Sequence, residues 1–164
     1  MDDLPVYVLE RDFAAPVALV WQAWTDPALF ARWYGPGAET TVVNCDLRPG
    51  GRALVEMRWG GNAQYQRFDY REVAAPLHLA FVMVTVDAAG NQAAVAQQLD
   101  WPQQLMTDVT LIAGGDKTQM RLTWTPHQGS AAEIAMFRSA MAGLGQGWGA
   151  GMQLLDGILA ELQG

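Results

Sequence analysis

The carboxyl-terminal part of the chain carries one long stripe of apolar side chains, and this stripe constrains the fold more than any other feature. On a helix turning 100° per residue, nine apolar residues fall within an arc of roughly 80°. They are Ile134, Phe137, Met141, Leu144, Trp148, Met152, Leu155, Leu159 and Leu162. Ser130 and Glu133 have the spacing of a capping box, so the helix is predicted to begin near residue 130. A helix of about thirty residues with one narrow apolar face needs a second layer to cover that face.

Glycine is unusually frequent inside this helix. The interior glycines are Gly143, Gly145, Gly147, Gly149, Gly151 and Gly157. Together they cost roughly 5 kcal/mol relative to alanine, so packing rather than local propensity must hold the segment. Two interpretations are open: the missing side chains let the helix approach or bend over a sheet, or they leave an adjustable roof above a cavity. Pairing of glycines in a membrane is disfavoured, because Gln146, Gln153 and Asp156 interrupt the apolar character.

The rest of the chain predicts seven strands and two short helices. The strands are 6–13, 40–47, 52–59, 64–73, 77–86, 105–112 and 118–124. Both helices follow the first strand, and the second has Pro27 at its first position behind a cap at Thr25 or Asp26. The strand at 77–86 is apolar on both faces and is therefore predicted to be central. The polar connection 87–104 is long for a compact domain, so it is either the lid or rim of a binding site or a loosely ordered excursion.

Composition excludes several classes of protein. At 164 residues the chain is expected to form a single domain over 1–164. Its net charge of −7, without a basic stripe, argues against nucleic acid as a partner. One cysteine, Cys45, cannot form an internal disulfide or supply a zinc site alone. The acidic amino terminus lacks the layout of a signal peptide, and no apolar run is long enough to span a membrane, so a cytoplasmic location is expected.

Motifs along nearly the whole chain resemble one family. They are Arg11-x-Phe13-x-Ala15-Pro16, Val20-Trp21-x-Ala23-Trp24-Thr25-x-Pro27, Arg32-Trp33-Tyr34-Gly35-Pro36, Asp46-Leu47-Arg48-Pro49-Gly50-Gly51, Trp101-Pro102, Val109-Thr110-Leu111 and Gly147-Trp148. Together they are similar to the homologues of the activator of heat-shock-protein-90 ATPase, within the START-like or Bet v 1-like superfamily. The resemblance implies an α+β helix-grip fold: a curved antiparallel sheet of about seven strands around a long carboxyl-terminal helix, with two short helices after the first strand.

The sequence departs from the family pattern at two places. Phe68 stands where members usually have glycine in the fourth strand, and Ala75-Pro76-Leu77-His78 replaces a Pro-Pro-Glu-Arg turn. If the Phe68 side chain points inward, it reduces the cavity that the fold would otherwise leave.

A cavity between the sheet and the last helix is the expected ligand site. Large flat side chains and flexible methionines suit irregular apolar ligands, although the same residues also fill cores. The predicted ligand-binding residues are Trp33, Met57, Trp59, Phe68, Tyr70, Phe81, Met83, Trp101, Leu111, Phe137, Met141, Leu144 and Trp148. The expected partner is a small apolar molecule.

Catalytic, metal and cofactor sites have little support in the sequence, and none is predicted. No HExxH, CxxC or GxSxG motif occurs. His78 and His127 fall in predicted turns and are expected to be solvated, and Cys45 is expected to be a small buried group. The charged strand residues are expected to pair on the convex face of the sheet. They are Asp46, Glu56, Arg58, Arg67, Asp69, Arg71 and Glu72.

Three functional hypotheses stay open. The leading one is a binder of a small apolar molecule, without catalysis or with weak catalysis. The second is an enzyme of the cyclase or hydrolase kind known among relatives, which needs a carboxylate or an arginine inside the cavity. The third is a protein that acts on a chaperone ATPase. It is disfavoured, because the eukaryotic co-chaperones carry a separate amino-terminal domain that this sequence does not show. A homodimer formed through exposed aromatic residues also stays open.

Overall fold

The computed structural model describes residues 3–95 and 98–164. Its elements are β1 (Tyr7–Phe13), α1 (Val17–Thr25), α2 (Pro27–Trp33), β2 (Glu39–Cys45), β3 (Arg52–Trp59), β4 (Asn62–Ala74), β5 (His78–Val86), β6 (Gln104–Gly114), β7 (Lys117–Pro126) and α3 (Ala131–Gln163). This is the helix-grip arrangement that the resemblance implied, with every predicted element present.

The strands form one antiparallel sheet in the order β1-β7-β6-β5-β4-β3-β2. The central position predicted for β5 is confirmed, and its residues from Leu79 to Val86 are all buried. Register shifts between Val42 and Asn44 in β2, and between Tyr70 and Glu72 in β4, interrupt the ladder. Such irregularities bend strands and increase their twist, which helps the sheet to curve around α3.

Helix α3 begins with the predicted capping box. The Glu133 backbone N–H donates to Ser130 Oγ at 3.1 Å, and the Ser130 N–H donates to Glu133 Oε1 at 3.0 Å. The apolar stripe packs into the core most completely at Phe137, Met152 and Leu155. Leu162, at the far end of the stripe, stays partly in solvent.

The glycines of α3 do not share one role. A Cβ atom added at Gly151 would lie 3.4 Å from the backbone oxygen of Trp33, so the helix approaches α2 closely there. At Gly143, Gly147, Gly149 and Gly157 an added Cβ would meet no atom within 4 Å. The interpretation that the glycines allow close approach to the sheet is therefore wrong for these four positions, which face open space.

The two short helices fill one end of the sheet's concave side. Asp26 caps α2 by accepting hydrogen bonds from the backbone N–H groups of Ala28 and Leu29, at 2.9 and 3.2 Å. Pro27 occupies the first helical position, as predicted. The indole nitrogen of Trp33 donates to the backbone oxygen of Ala23 at 2.9 Å and thereby joins the end of α2 to α1. This buried hydrogen bond thus fixes the direction in which the chain leaves α2.

Four of the seven charged residues predicted to pair on the convex face do so, as Arg58–Glu56 and Arg67–Asp69, whereas Asp46 pairs in the loop after β2 and Glu72 pairs with His78. Arg67 contacts Asp69 at 2.8 Å, Arg58 contacts Glu56 at 2.7 Å, and Arg48 contacts Asp46 at 2.9 Å. These pairs are exposed or half-exposed, so solvent screens them and each contributes little to the stability of the fold.

The prediction for His78 is wrong. His78 is the first residue of β5 rather than a solvated turn residue, because the strand begins there and places the ring between two neighbouring strands. Its Nδ1 lies 3.0 Å from Glu72, and its Nε2 lies 2.8 Å from Asp108. Burial opposes protonation of the ring, but hydrogen bonds and charges from Asp108 and Glu72 outweigh it and raise the pKa of His78.

Candidate ligand-binding cleft

A cleft of about 340 Å³ opens between the β3–β4 hairpin, the end of α2 and the middle of α3. The residues that line it are Trp33, Tyr34, Gly35, Pro36, Met57, Trp59, Gln64, Gln66, Gln98, Trp101, Trp124, Leu144, Gly147, Trp148 and Gly151. Its volume is near the lower end of the range for small-molecule sites, about 300–1,000 Å³. The cleft therefore has room for a small molecule.

Two periodicities bring the lining residues together. On the sheet, Met57 and Gln64 are register partners, and alternate residues in β3 and β4 face the concave side. On α3, the residues at 144, 147, 148 and 151 follow helical spacing and form one face. The absence of a side chain at Gly147 leaves the space beside Trp148 open.

Tryptophan rings form one wall and continue into the core. The ring centroids of Trp101 and Trp124 lie 6.4 Å apart, and those of Trp124 and Trp148 lie 5.3 Å apart. Trp148 in turn lies 6.4 Å from Trp24, which packs against Trp33 at 4.8 Å. Because each ring is held by the next, this wall is preorganised for flat apolar molecules.

The polar groups of the cleft are neutral. Tyr34 donates its hydroxyl proton to Gln66 Oε1 across 2.6 Å, and burial raises the pKa of Tyr34 far above its usual range, so the hydroxyl stays protonated. Among the described residues, the lining contains no Asp, Glu, His, Lys or Arg. Nor does the described part of the chain hold a group of three or more His, Cys, Asp and Glu side chains arranged to bind a metal ion. The arrangement can bury an apolar molecule and make hydrogen bonds to it.

A sequence profile for the family described as "Activator of Hsp90 ATPase homolog 1-like protein" matches residues 14–160. The chain belongs to this family. The matched region includes every described residue of the cleft, so the site is part of the family domain. Among curated proteins, no sequence matches the chain.

Solved structures share the fold of this protein at low sequence identity. Protein Ms6760 from Mycobacterium smegmatis is 24% identical, the alignment covers 96% of each chain, and the TM-score is 0.76. A protein from Arthrobacter aurescens, solved by NMR, is 23% identical over 95% of this chain and 86% of its own, with a TM-score of 0.78. CalU16 from Micromonospora echinospora is 22% identical over 92% of this chain and 73% of its own, with a TM-score of 0.56. Because these sequence identities are below 25%, the likeness shows that the fold is shared and nothing more.

The residues predicted for the ligand site separate into two groups in the structure. Six of them line the cleft: Trp33, Met57, Trp59, Trp101, Leu144 and Trp148. The others lie behind it in the core or at its margin: Phe68, Tyr70, Phe81, Met83, Leu111, Phe137 and Met141. The first group extends from nearly full burial at Trp33 to 40% exposure at Trp59. A ligand is thus expected to cover Trp59 while it rests against side chains that are already buried.

The prediction did not include several lining residues. They are Tyr34, Gly35, Pro36, Gln64, Gln66, Gln98, Trp124, Gly147 and Gly151. The two glutamines of β4 were detectable, because they alternate in phase with Phe68 and Tyr70 and therefore share the inner face of the strand. The prediction selected only apolar and aromatic residues, so it left out these two polar side chains.

Phe68 points inward and packs in the core behind the cleft. Its ring stacks on Phe81 with centroids 4.5 Å apart, and it meets the rings of Phe30 and Tyr34 edge-on at 5.8 Å. Beyond it a void of about 10 Å³ is left beside Cys45. This aromatic side chain therefore shortens the space that a glycine would leave open.

Cys45 is half-buried at the far side of that void. Its Sγ lies 3.6 Å from the hydroxyl oxygen of Tyr70. Burial raises the pKa of Tyr70, and the contact with Cys45 adds to the effect. Neither residue is among those that line the cleft.

The long connection between β5 and β6 forms part of the cleft rim. Gln98 and Trp101 line the cleft, while residues 96 and 97 lie outside the described residues. Side-chain hydrogen bonds of 2.7 and 3.0 Å join Gln92 to Gln103 and Gln104, and Arg67 donates to the Gly90 oxygen at 2.9 Å. These contacts tie both ends of the connection to the sheet.

A larger depression, of about 600 Å³, lies at the opposite end of the sheet. It is lined by residues at the end of β1 and by the β6–β7 turn, including Asp12, Lys117 and Gln119. The described lining mixes these three exposed polar side chains with Ala14, Ile112 and Ala113, and its one aromatic residue is Phe13. The smaller aromatic cleft therefore has the better chemistry for a small-molecule site.

In the described part of the chain, none of the helices combines the length and hydropathy needed to cross a bilayer.

Proposed function

We propose that this protein binds a neutral, flat, mainly apolar small molecule in the cleft between the β3–β4 hairpin and α3. The observation that carries the proposal is the composition of the lining. Tryptophan, methionine and leucine side chains surround about 340 Å³ of space, and the described polar lining groups are uncharged.

Uncharged walls favour an uncharged ligand. Moving an ionised group from water into such a site costs several kcal/mol unless an opposite charge pairs with it, and the described lining offers none. An apolar ring instead gains about 25 cal/mol for each Å² of surface that it removes from water. The cost of removing a charged group from water therefore favours neutral ligands over charged ones, whatever specific contacts they make.

The enzyme hypothesis has less support. A cyclase or hydrolase mechanism of the kind considered above requires a carboxylate or an arginine in the cleft, and none occurs among the described lining residues. Tyr34 keeps its proton because burial raises its pKa, so it is a hydrogen-bond donor rather than a base. The chaperone hypothesis has the family description in its favour, but no described surface feature adds to it.

Binding of a neutral probe tests the proposal. We expect 2-isopropenylnaphthalene or 2-acetylnaphthalene to raise the melting temperature of the protein. At a concentration about 100 times Kd, a ligand specific for the folded state adds about 2.7 kcal/mol of stability. For a domain of this size, that stability corresponds to a rise of about 5–10 °C. Isothermal titration calorimetry supplies the stoichiometry. If calorimetry and melting show no binding of either compound, the proposal is wrong.

Gly147→Leu locates the binding site. Gly147 lines the cleft and an added Cβ would meet no atom within 4 Å, so we expect a leucine side chain here to occupy part of the site. Gly143→Leu is the matched control, because the position lies one turn earlier in α3, faces open space and does not line the cleft. We expect Gly147→Leu to weaken probe binding at least tenfold and Gly143→Leu to leave it unchanged. Equal affinities for the two variants would place the probe elsewhere.

A further inference from the structure

We propose that Gln66 anchors the ligand by donating a side-chain N–H to a neutral oxygen acceptor, such as a ketone, ester or ether oxygen. This inference rests on the proposed function and specifies its ligand class: a flat apolar molecule with one uncharged acceptor near the middle of the cleft.

Gln66 lies where an apolar side chain would be expected. It is on the inner face of β4, in phase with Phe68 and Tyr70, and only 9% of its surface is exposed. A buried amide costs free energy unless its donors and acceptors are hydrogen-bonded. The oxygen and the nitrogen of the Gln66 amide, on the floor of an aromatic cleft, therefore each need a hydrogen-bond partner.

The oxygen of the amide already has a partner. Tyr34 Oη lies 2.6 Å from Gln66 Oε1, a separation typical of an O–H donor and short for an N–H donor. The Tyr34 hydroxyl is also 3.2 Å from Met83 Sδ, a weaker acceptor. Since burial keeps Tyr34 protonated, the hydroxyl is a donor, and the amide oxygen of Gln66 turns towards it.

The nitrogen of the amide is left for the ligand. Within residues 3–95 and 98–164, the side-chain hydrogen bond of Gln66 is made by Oε1, and Nε2 is not among the fully enclosed polar atoms that lack a partner. The side chain lines the cleft, so this N–H group is available to a molecule bound there. An N–H donor selects an acceptor, and the uncharged surroundings select a neutral acceptor over a carboxylate.

The anchor is held in place by its neighbours. The Tyr34 ring stacks on Phe30 with centroids 4.6 Å apart, and the Tyr34 backbone oxygen accepts from Thr40 Oγ1 at 2.7 Å. Fixing the tyrosine fixes the rotation of the Gln66 amide. The donor is therefore preorganised, which lowers the entropy cost of binding.

Two isosteric probes isolate the hydrogen bond. 2-Acetylnaphthalene carries a ketone where 2-isopropenylnaphthalene carries a carbon–carbon double bond, so the compounds share shape and differ in the acceptor. We expect the wild-type protein to bind the ketone about 3- to 10-fold more tightly in calorimetry, the range for one neutral hydrogen bond. The alcohol 1-(2-naphthyl)ethanol tests the opposite amide rotation, and 2-naphthoate tests a charged ligand.

The outcomes separate this inference from the proposed function. If neither neutral probe binds, the proposed function fails. If both bind with equal affinity, the cleft binds apolar molecules but the Gln66 anchor is wrong. Tighter binding of the alcohol or of 2-naphthoate than of the ketone also overturns the anchor.

Substitution of the amide completes the test. We expect Gln66→Met, which keeps length and removes the donor, to abolish the preference for the ketone, so that the variant binds the ketone no more tightly than the alkene. Gln153→Leu, on the exposed side of α3, is a control that keeps the preference. A ketone labelled with 13C at the carbonyl carbon gives an independent readout. Its downfield shift on hydrogen bonding should occur in the wild-type protein and disappear in Gln66→Met, a change that altered packing alone does not produce. Retention of the shift in Gln66→Met would contradict the inference.

Discussion

The rings of Phe68 and Phe81 stack with their centroids 4.5 Å apart at the centre of the concave face of the sheet. Phe81 belongs to the central strand and Phe68 to its neighbour, and the Phe68 ring packs edge-on against Tyr34, which lines the cleft. Phe68 therefore fills core space directly behind a wall of the cleft. In the family pattern that the sequence resembles, a glycine occupies this position.

Truncation of Phe68 is expected to extend the cleft and weaken the fold. Phe68→Ala should lower the free energy of unfolding by about 3–5 kcal/mol, measured by urea denaturation. It should also improve binding of a three-ring hydrocarbon such as anthracene relative to naphthalene. Phe13→Ala removes a similarly buried ring that does not line the cleft, so it should be destabilising without changing ligand preference. Loss of stability without any change in relative affinity would show that Phe68 does not limit the cleft.

Alanine at the unsupported glycines of α3 is expected to stabilise the protein. Gly143→Ala, Gly149→Ala and Gly157→Ala each place a methyl group in open space on a helical backbone. Each should raise the free energy of unfolding by about 0.5–1 kcal/mol. Gly37→Ala is the contrasting control: its site is equally open, but its φ of +86° is unfavourable for alanine. We expect it to be destabilising, and a stabilising effect at Gly37 would refute this account.

The contribution of His78 to stability is expected to depend on pH. Because Asp108 and Glu72 raise the folded-state pKa of the ring above its usual value near 6.5, protonated His78 stabilises the folded state. This contribution is complete below the unfolded-state pKa and is lost as pH rises through the folded-state pKa. The stability difference between wild type and His78→Gln should therefore be larger at pH 5.5 than at pH 8.5.

Urea denaturation at the two pH values measures this difference. His127→Gln, which changes a histidine in the turn after β7, is the control. A His78→Gln difference that is the same at both pH values, or larger at pH 8.5, would contradict the assignment of the two carboxylate contacts.

The start of α3 is expected to depend on its cap. Ser130→Ala removes the acceptor for the Glu133 N–H and should cost about 1 kcal/mol of stability. Ser139→Ala, within the same helix, removes only a local hydrogen bond from Ser139 Oγ to the Met136 oxygen and should be neutral or slightly stabilising. Thermal unfolding of the two variants distinguishes the two roles. Equal effects would mean that the capping contacts contribute nothing.

The chain order of the elements was predictable from local patterns. Helix α3 followed from its apolar stripe and the Ser130–Glu133 spacing, and the central place of β5 followed from its apolar residues on both faces. The pairing of charges such as Arg67 with Asp69 followed from alternation along a strand. These features depend on neighbours within a few residues, which the sequence displays directly.

The division between core and cleft was decided only by the tertiary structure. Phe81 and Trp59 both lie on the inner side of the sheet, yet one is buried and the other is 40% exposed. Periodicity specifies the face of a side chain but not its depth, which depends on where α2 and α3 cross the sheet. The pairing of Tyr34 with Gln66, 32 residues apart, has the same origin. Sequence alone thus determined the layers of this protein, whereas the packing of one helix across a curved sheet determined which side chains a ligand can reach.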